Sequence, residues 1–197
     1  LHKDISVPLS NSPLFYSALR LSLLCVLLLG PVFAHQWLEE HYQRVIGVRT
    51  AVFFGDKLQL PSPLAGAGPV RLVHFWDPSC PCNASNMAHL TEILKHFAPL
   101  GVVFYSVQKP GSKGQLPAAL AALQALPELA GLEQLPASPA AAIWNTQGEL
   151  VYIGPYSEGA SCSLGNGFVE PILEAVLAGR PVKANAGLAV ACFCDWN

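Results

Sequence analysis

Six cysteines stand at positions 25, 80, 82, 162, 192 and 194, and four of them form two C-x-C pairs. Thiols at that spacing point to chemistry more than to scaffolding, because a thiolate is both a nucleophile toward disulfides and a ligand for soft metals. Structural bridges and inert buried thiols are the bland alternatives. The first pair ends the stretch from Val70 to Asn83, V-R-L-V-H-F-W-D-P-S-C-P-C-N. Its apolar run predicts a strand that stops at Asp77-Pro78 and delivers Cys80 to the start of a helix. There, unpaired backbone N–H groups and the helix dipole favour thiolate over thiol. Cys162 lies in the loop G-A-S-C-S-L-G-N-G, and the second pair lies in the closing A-C-F-C-D-W-N. Three arrangements are open: a relay in which Cys162 or the tail pair exchanges disulfides with Cys80 and Cys82, a structural bridge from Cys162 to the tail, or a Cu(I) or Zn(II) site.

The elements that must position these thiols can be read from period and punctuation. Arg71 to Trp76 is the candidate central strand, with Leu72, His74 and Trp76 on one face and Val73 and Phe75 on the other. Met87, Leu90, Leu94 and Phe97 then recur at helical spacing until Pro99-Leu100-Gly101. Val102 to Val107 is β-branched and aromatic, a second strand. Leu116, Leu120 and Leu123 predict a second helix between Pro117 and Pro127. Ala140–Trp144 and Leu150–Ile153 predict a hairpin turned by Asn145-Thr146-Gln147-Gly148, and Phe168, Ile172 and Val176 a last helix stopped by Gly179. Ahead of all this, Ala51 to Leu60 reads as two short strands turned at Gly55-Asp56. His35, His41, His89 and His96 show no site-like spacing and are expected at the surface, and His2 falls in an unpatterned start.

Charged residues make up 12% of the chain, about half the usual share of roughly 25%. A net charge of −2 offers no basic footprint, so no nucleic acid is expected as a partner. Residues 1–20 are loosely patterned; Leu21 to Ala34 carries no charge and follows Arg20. A cleaved signal peptide fits the short apolar run ending at Ala34, an uncleaved anchor fits the apolar character resuming at Trp37-Leu38, and a buried core helix is the third reading. The expected division is 1–20 unpatterned, 21–45 signal or anchor helix, 50–181 one α/β domain, and 182–197 a cysteine-containing tail.

The strand and turn V-H-F-W-D-P-S-C-P-C, together with Ala137-Ser138-Pro139-Ala140-Ala141 and the following W-N-T-Q-G-E-L-V-Y-I-G, resemble the thioredoxin superfamily, and within it the exported, membrane-tethered thiol-disulfide oxidoreductases of bacteria. The resemblance covers roughly Thr50 to Gly179. It implies a thioredoxin-like fold, a central mixed sheet flanked by helices, preceded here by an N-terminal hydrophobic helix. It also implies a redox-active disulfide and no cofactor, protein thiols or disulfides as substrates, a redox donor or acceptor protein, and a place in the cell envelope, either anchored in the inner membrane facing the periplasm or exported. Carried over by position, Cys80 is the attacking thiolate, Cys82 resolves the mixed disulfide, and Ser138 ahead of a cis Pro139 presents backbone to an extended substrate, with Trp76 beside it. His74 takes the place of the buried acid that handles the resolving thiol's proton, a task imidazole can perform near neutral pH; a packed strand histidine is the other reading.

Two features depart from the family pattern. The site is C-x-C where the family has C-x-x-C, so a Cys80–Cys82 disulfide would close a small ring that reaches its preferred geometry with difficulty. Such a bridge is expected to be easily reduced, which suits oxidation or isomerisation better than strong reduction. The remaining cysteines, Cys162, Cys192 and Cys194, inherit no role from the family and are auxiliary redox or structural residues. A thiolate binding module for Cu or Zn on the same fold, without catalysis, is the competing function.

Overall fold

The computed structural model describes residues 13–45, 48–159 and 167–197, and the chain divides into two compact units, Leu1–Arg44 and Val45–Asn197. Among its described residues, the first is one long helix, α1 (Pro13–Val45). It begins inside the segment expected to be unpatterned. Within it, Tyr16–Leu38 is long and apolar enough to cross a membrane, by length and composition.

The second unit is built on a five-stranded sheet. Strand β2 (Arg71–Trp76) is buried along its whole length and runs parallel to β3 (Val103–Gln108), with Val73 opposite Tyr105. On its other side it pairs antiparallel with β6 (Ala140–Trp144), which forms a hairpin with β7 (Leu150–Gly154). The two-residue β4 (Gln124–Ala125) adds to the far edge, giving the order β4-β3-β2-β6-β7. The β6–β7 turn needs Gly148 at φ +83°, where a Cβ would fall 2.4 Å from the Gly66 carbonyl oxygen. A strand buried on both faces and paired on both edges is the stiffest support the fold can offer to the turn that follows it.

The two faces of the sheet are covered differently. Helices α2 (Asn83–Phe97) and α3 (Val169–Leu177) close one face, where Leu90, Ile93, Phe97, Val169 and Leu173 pack on Leu72, Phe104 and Ile143. The other face, carrying Val73, Phe75, Tyr105 and Val107, packs against Phe53, Phe193 and Trp196. Those aromatics come from a two-stranded ribbon, β1 (Val48–Phe54) antiparallel to β8 (Ala186–Cys192), and from the chain end that follows it.

Three expectations are corrected. The hairpin over 51–60 does not form: β1 pairs with β8 near the other end of the chain, and Gly55 bonds Asn185 across that ribbon. The period-2 pattern identified the strand correctly, but a distant partner with matching alternation outcompetes the local turn. The helix expected between Pro117 and Pro127 is a single 3-10 turn, Ala118–Leu120, because Pro117 and the pairing of β4 with β3 leave no room for another turn. Segment 182–197, expected as a tail outside the domain, supplies β8 and a further short strand, β9 (Cys194–Asp195), which pairs with β5 (Ala137–Ser138).

Candidate functional site

The site is assembled where β2 ends. Asp77 caps the turn: its carboxylate accepts the Ser79 N–H at 2.9 Å and the Ser79 hydroxyl at 2.7 Å, and Lys109 Nζ lies 3.4 Å from it. Burial pushes the Asp77 carboxyl up, but the Ser79 hydroxyl and amide and the Lys109 ammonium outweigh it and leave it below its usual value. The Cys80 N–H then bonds the Asp77 carbonyl at 2.9 Å, Asn83 Nδ2 donates to the same carbonyl, and Cys82 is the residue before α2. Asn86 Nδ2 donates to the Cys82 carbonyl at 2.9 Å. Two side-chain amides from the first turn of α2 thus fix the cysteine loop from below.

Opposite this turn lies β5. The Ser138–Pro139 peptide bond is cis, and Ser138 O is 3.7 Å from Cys80 Sγ. The C-terminal strand β9 occupies the edge of β5, with Cys194 opposite Ser138 and Asp195 opposite Ala137. Alternation along an extended chain puts Cys192 and Cys194 on one side, and both meet the cysteine turn. Cys80 is bonded to Cys194, with Cα atoms 5.8 Å apart, and Cys82 to Cys192, with Cα atoms 5.6 Å apart. Cys80, Cys82 and Cys192 are buried and Cys194 is partly so.

The Cys80–Cys82 bridge expected from the sequence is therefore replaced by two bridges to the tail. The physical reason is the one that made the small ring doubtful: partners on a facing strand meet the Cα separation a disulfide prefers, which a one-residue spacer reaches only with difficulty. Cys25, exposed on α1, is free. Cys162 falls outside the described residues.

The tail is held by more than sulfur. Phe193 is 1% exposed and packs on Phe53 at 5.5 Å between ring centroids; Trp196 is 3% exposed and meets Phe75 edge-on at 6.2 Å. Lys109 Nζ donates to the Asp195 carbonyl at 3.0 Å, the Trp196 N–H to the Pro136 carbonyl at 3.3 Å, and Arg49 pairs with the Asp195 carboxylate at 2.6 Å. Burying two aromatics stabilises docking by roughly 2–3 kcal/mol each, whereas the exposed Arg49–Asp195 pair contributes less than about 1 kcal/mol.

His74 is fully buried on β2, and its Nδ1 is 2.7 Å from the Tyr156 hydroxyl. Burial pushes the imidazole down from 6.5 to about 3, with the Ala140 backbone pulling to a lesser extent the other way. The ring is thus neutral at physiological pH, and the titration near neutrality expected from its type is displaced by desolvation. His89, expected at the surface, is buried on α2 and bonded to Glu170 of α3, and its ring lies 6.0 Å from that of Tyr156. Trp76, expected to face substrate, is buried and lines a cleft with Ser106, Gln108 and Leu116.

Cys80, Cys82, Ser138, Pro139, Cys192 and Cys194 come together, while Tyr156, Lys109 and Trp196 were missed by sequence reasoning. Only Trp196 carried a signal: an aromatic two residues past a C-x-C cysteine. The strand order, the helices on one face and a cis proline opposite the cysteine turn are those of a thioredoxin-like fold. The chain is similar in structure to an uncharacterised conserved protein from Geobacillus kaustophilus, with a TM-score of 0.52 and 17% identity, covering 77% of this chain and 98% of the other. A hypothetical protein from Sinorhizobium meliloti follows at a TM-score of 0.47 and 17% identity, covering 75% and 90% of the two chains. A thiol:disulfide interchange protein of the thioredoxin family from Chlorobium tepidum gives 0.41 and 16%, covering 66% and 94%. No curated protein is significantly similar in sequence. Residues 49–196, a span that holds both C-x-C pairs and Trp196, match the family described as "Domain of unknown function (DUF6436)", and the chain belongs to that family.

Proposed function

We propose that this protein is a thiol-disulfide oxidoreductase acting on the cysteines of other proteins, with Cys80 as the exchanging thiol and the C-terminal C-x-C as its resident disulfide partner. The observation that carries the reading is the bond between Cys80 and a cysteine on a strand paired to Ser138 beside a cis proline. That arrangement has the form of a mixed disulfide with an extended peptide, made here by the chain itself. In the exchange, a substrate thiolate attacks Cys80 Sγ and the Cys194 thiolate leaves; a second substrate thiol then displaces Cys80. The substrate gains a disulfide, and Cys80 and Cys194 take up two electrons and two protons. Cys82 with Cys192 forms a second couple beside the first, and His74, held neutral by burial and partnered by Tyr156, supports the strand leading to the turn. The apolar span Tyr16–Leu38, long enough to cross a membrane, supports a reading in which this chemistry takes place in the bacterial cell envelope.

The test is exchange with a reduced, unfolded protein that carries a cysteine pair. Oxidised full-length chain should convert it to the disulfide form while its own thiol content rises, and Cys80→Ser should stop the reaction. No transfer from the wild-type chain would overturn the reading. A second reading is favoured by one observation: the sulfurs of Cys80, Cys82 and Cys194 lie within 4.8 Å of one another. After reduction, these thiolates with Cys192 would make a donor set suited to Zn(II) or Cu(I). Stoichiometric metal retained by the anaerobically reduced protein would support that alternative.

A further inference from the structure

The end of the chain is a template for what the site accepts. Resting on the oxidoreductase reading, we infer that the site selects substrate segments in which an aromatic residue follows the reacting cysteine by two positions, and that the seat now filled by Trp196 is the subsite that selects them.

The tail shows which of its features can discriminate. Its backbone bonds, Ser138 opposite Cys194, the Trp196 N–H to Pro136 and Lys109 to the Asp195 carbonyl, accept any sequence in extended form. The Asp195 side chain is held only by an exposed ion pair and selects weakly. Trp196 differs: it is 3% exposed, stands edge-on to Phe75, and belongs to the same apolar cluster as Leu129, Leu132 and Leu135. An open cleft of about 610 Å³, bounded by Lys109, Pro127, Leu129 and Leu132, continues from its ring. The seat therefore has room for a bulky side chain and a rigid aromatic wall. A substrate must displace the tail to reach Cys80, which is 4% exposed. A segment carrying its own aromatic at that position refills the seat it empties, and one without leaves an apolar cavity open to water.

The experiment uses full-length protein with Cys82→Ser, Cys192→Ser, Cys194→Ser and Trp196→Ala, so that Cys80 is the reactive thiol of the site and the seat is vacant. Two peptides, AFCDWN and AFCDAN, are activated as mixed disulfides with thionitrobenzoate. The Cys80 thiolate attacks the peptide sulfur, one S–S bond forms as another breaks, and the coloured thiolate leaves, with no net redox change. A Cys80→Ser control subtracts reaction at other thiols. The tryptophan peptide should react about tenfold faster or more, the loss expected on truncating a buried aromatic anchor. Equal rates would overturn the subsite and leave the oxidoreductase reading standing; inertness of Cys80 to both peptides and to a small aromatic disulfide would overturn both. Should the variant fail to fold, the same comparison is made with reduced peptides attacking the oxidised wild-type chain, the Cys80–peptide adduct being followed by mass spectrometry. A tenfold advantage for tryptophan there supports the subsite, and parity overturns it.

Discussion

His74 shows how far a residue's surroundings can move it from what its type implies. The sequence placed it correctly, on the strand that leads to the cysteine turn, but its partner Tyr156 lies 82 residues further on, and the burial that neutralises it comes from packing that no local pattern encodes. Its folded pKa of about 3 lies below the ordinary 6.5, so between those values the unfolded chain binds the extra proton. The stability it contributes is fully present above pH 6.5 and is lost as pH falls toward 3. Urea unfolding should therefore show stability declining through that window, and His74→Gln should flatten the decline. Asp77 adds a loss of the same sign below its ordinary range, where its lowered carboxyl protonates. Tyr156→Phe removes the hydroxyl partner of His74 Nδ1 and should cost about 1–2 kcal/mol without altering the helices, as far-UV circular dichroism would verify.

At the scale of elements, what the sequence made legible was local and what it concealed was distant. Strand β2, helix α2, the β6–β7 hairpin and α3 each follow from a short period bounded by proline or glycine. The cysteine turn follows from the strand that stops at Asp77-Pro78, whereas the cis Ser138–Pro139 bond was reached through family resemblance and is present in the fold. The β1–β8 ribbon pairs residues at opposite ends of the domain, and its alternation fits a hairpin equally well until the partner is known. The same limit hid the disulfide pattern, because four cysteines in two pairs are compatible with bridges within or between the pairs. The cross-bridges join positions 114 and 110 residues apart. Closing one loop of that length is worth about 4–5 kcal/mol in the chain-entropy account; the second, nested inside the first, adds far less. Cys194→Ser alone should thus retain most of the stability if Cys82–Cys192 persists. The double variant Cys192→Ser/Cys194→Ser should lose several kcal/mol in urea unfolding, a loss that reductant reproduces in the wild type.

For the whole molecule, the apolar span Tyr16–Leu38 and the sulfur site belong to separate compact units. On the membrane and oxidoreductase reading proposed above, Leu24→Arg with Leu28→Arg places two charges inside that span, at roughly 2.5–3.5 kcal/mol each, and should move the chain from the membrane fraction to the soluble one while leaving exchange at Cys80 intact. The nested bridges carry a further consequence. Four sulfurs paired as 80–194 and 82–192 hold the same number of electrons as four paired as 80–82 and 192–194. A trace of free thiol suffices to initiate that permutation, and it consumes no reductant. Such a permutation would release the end stapled here and leave it merely seated by Phe193 and Trp196, against the difficulty of closing two one-residue rings. Counting thiols cannot tell the two pairings apart; a non-reducing peptide map before and after a substoichiometric thiol pulse can. Exchange between the two pairings runs by thiol shuffling alone and needs no net oxidant or reductant.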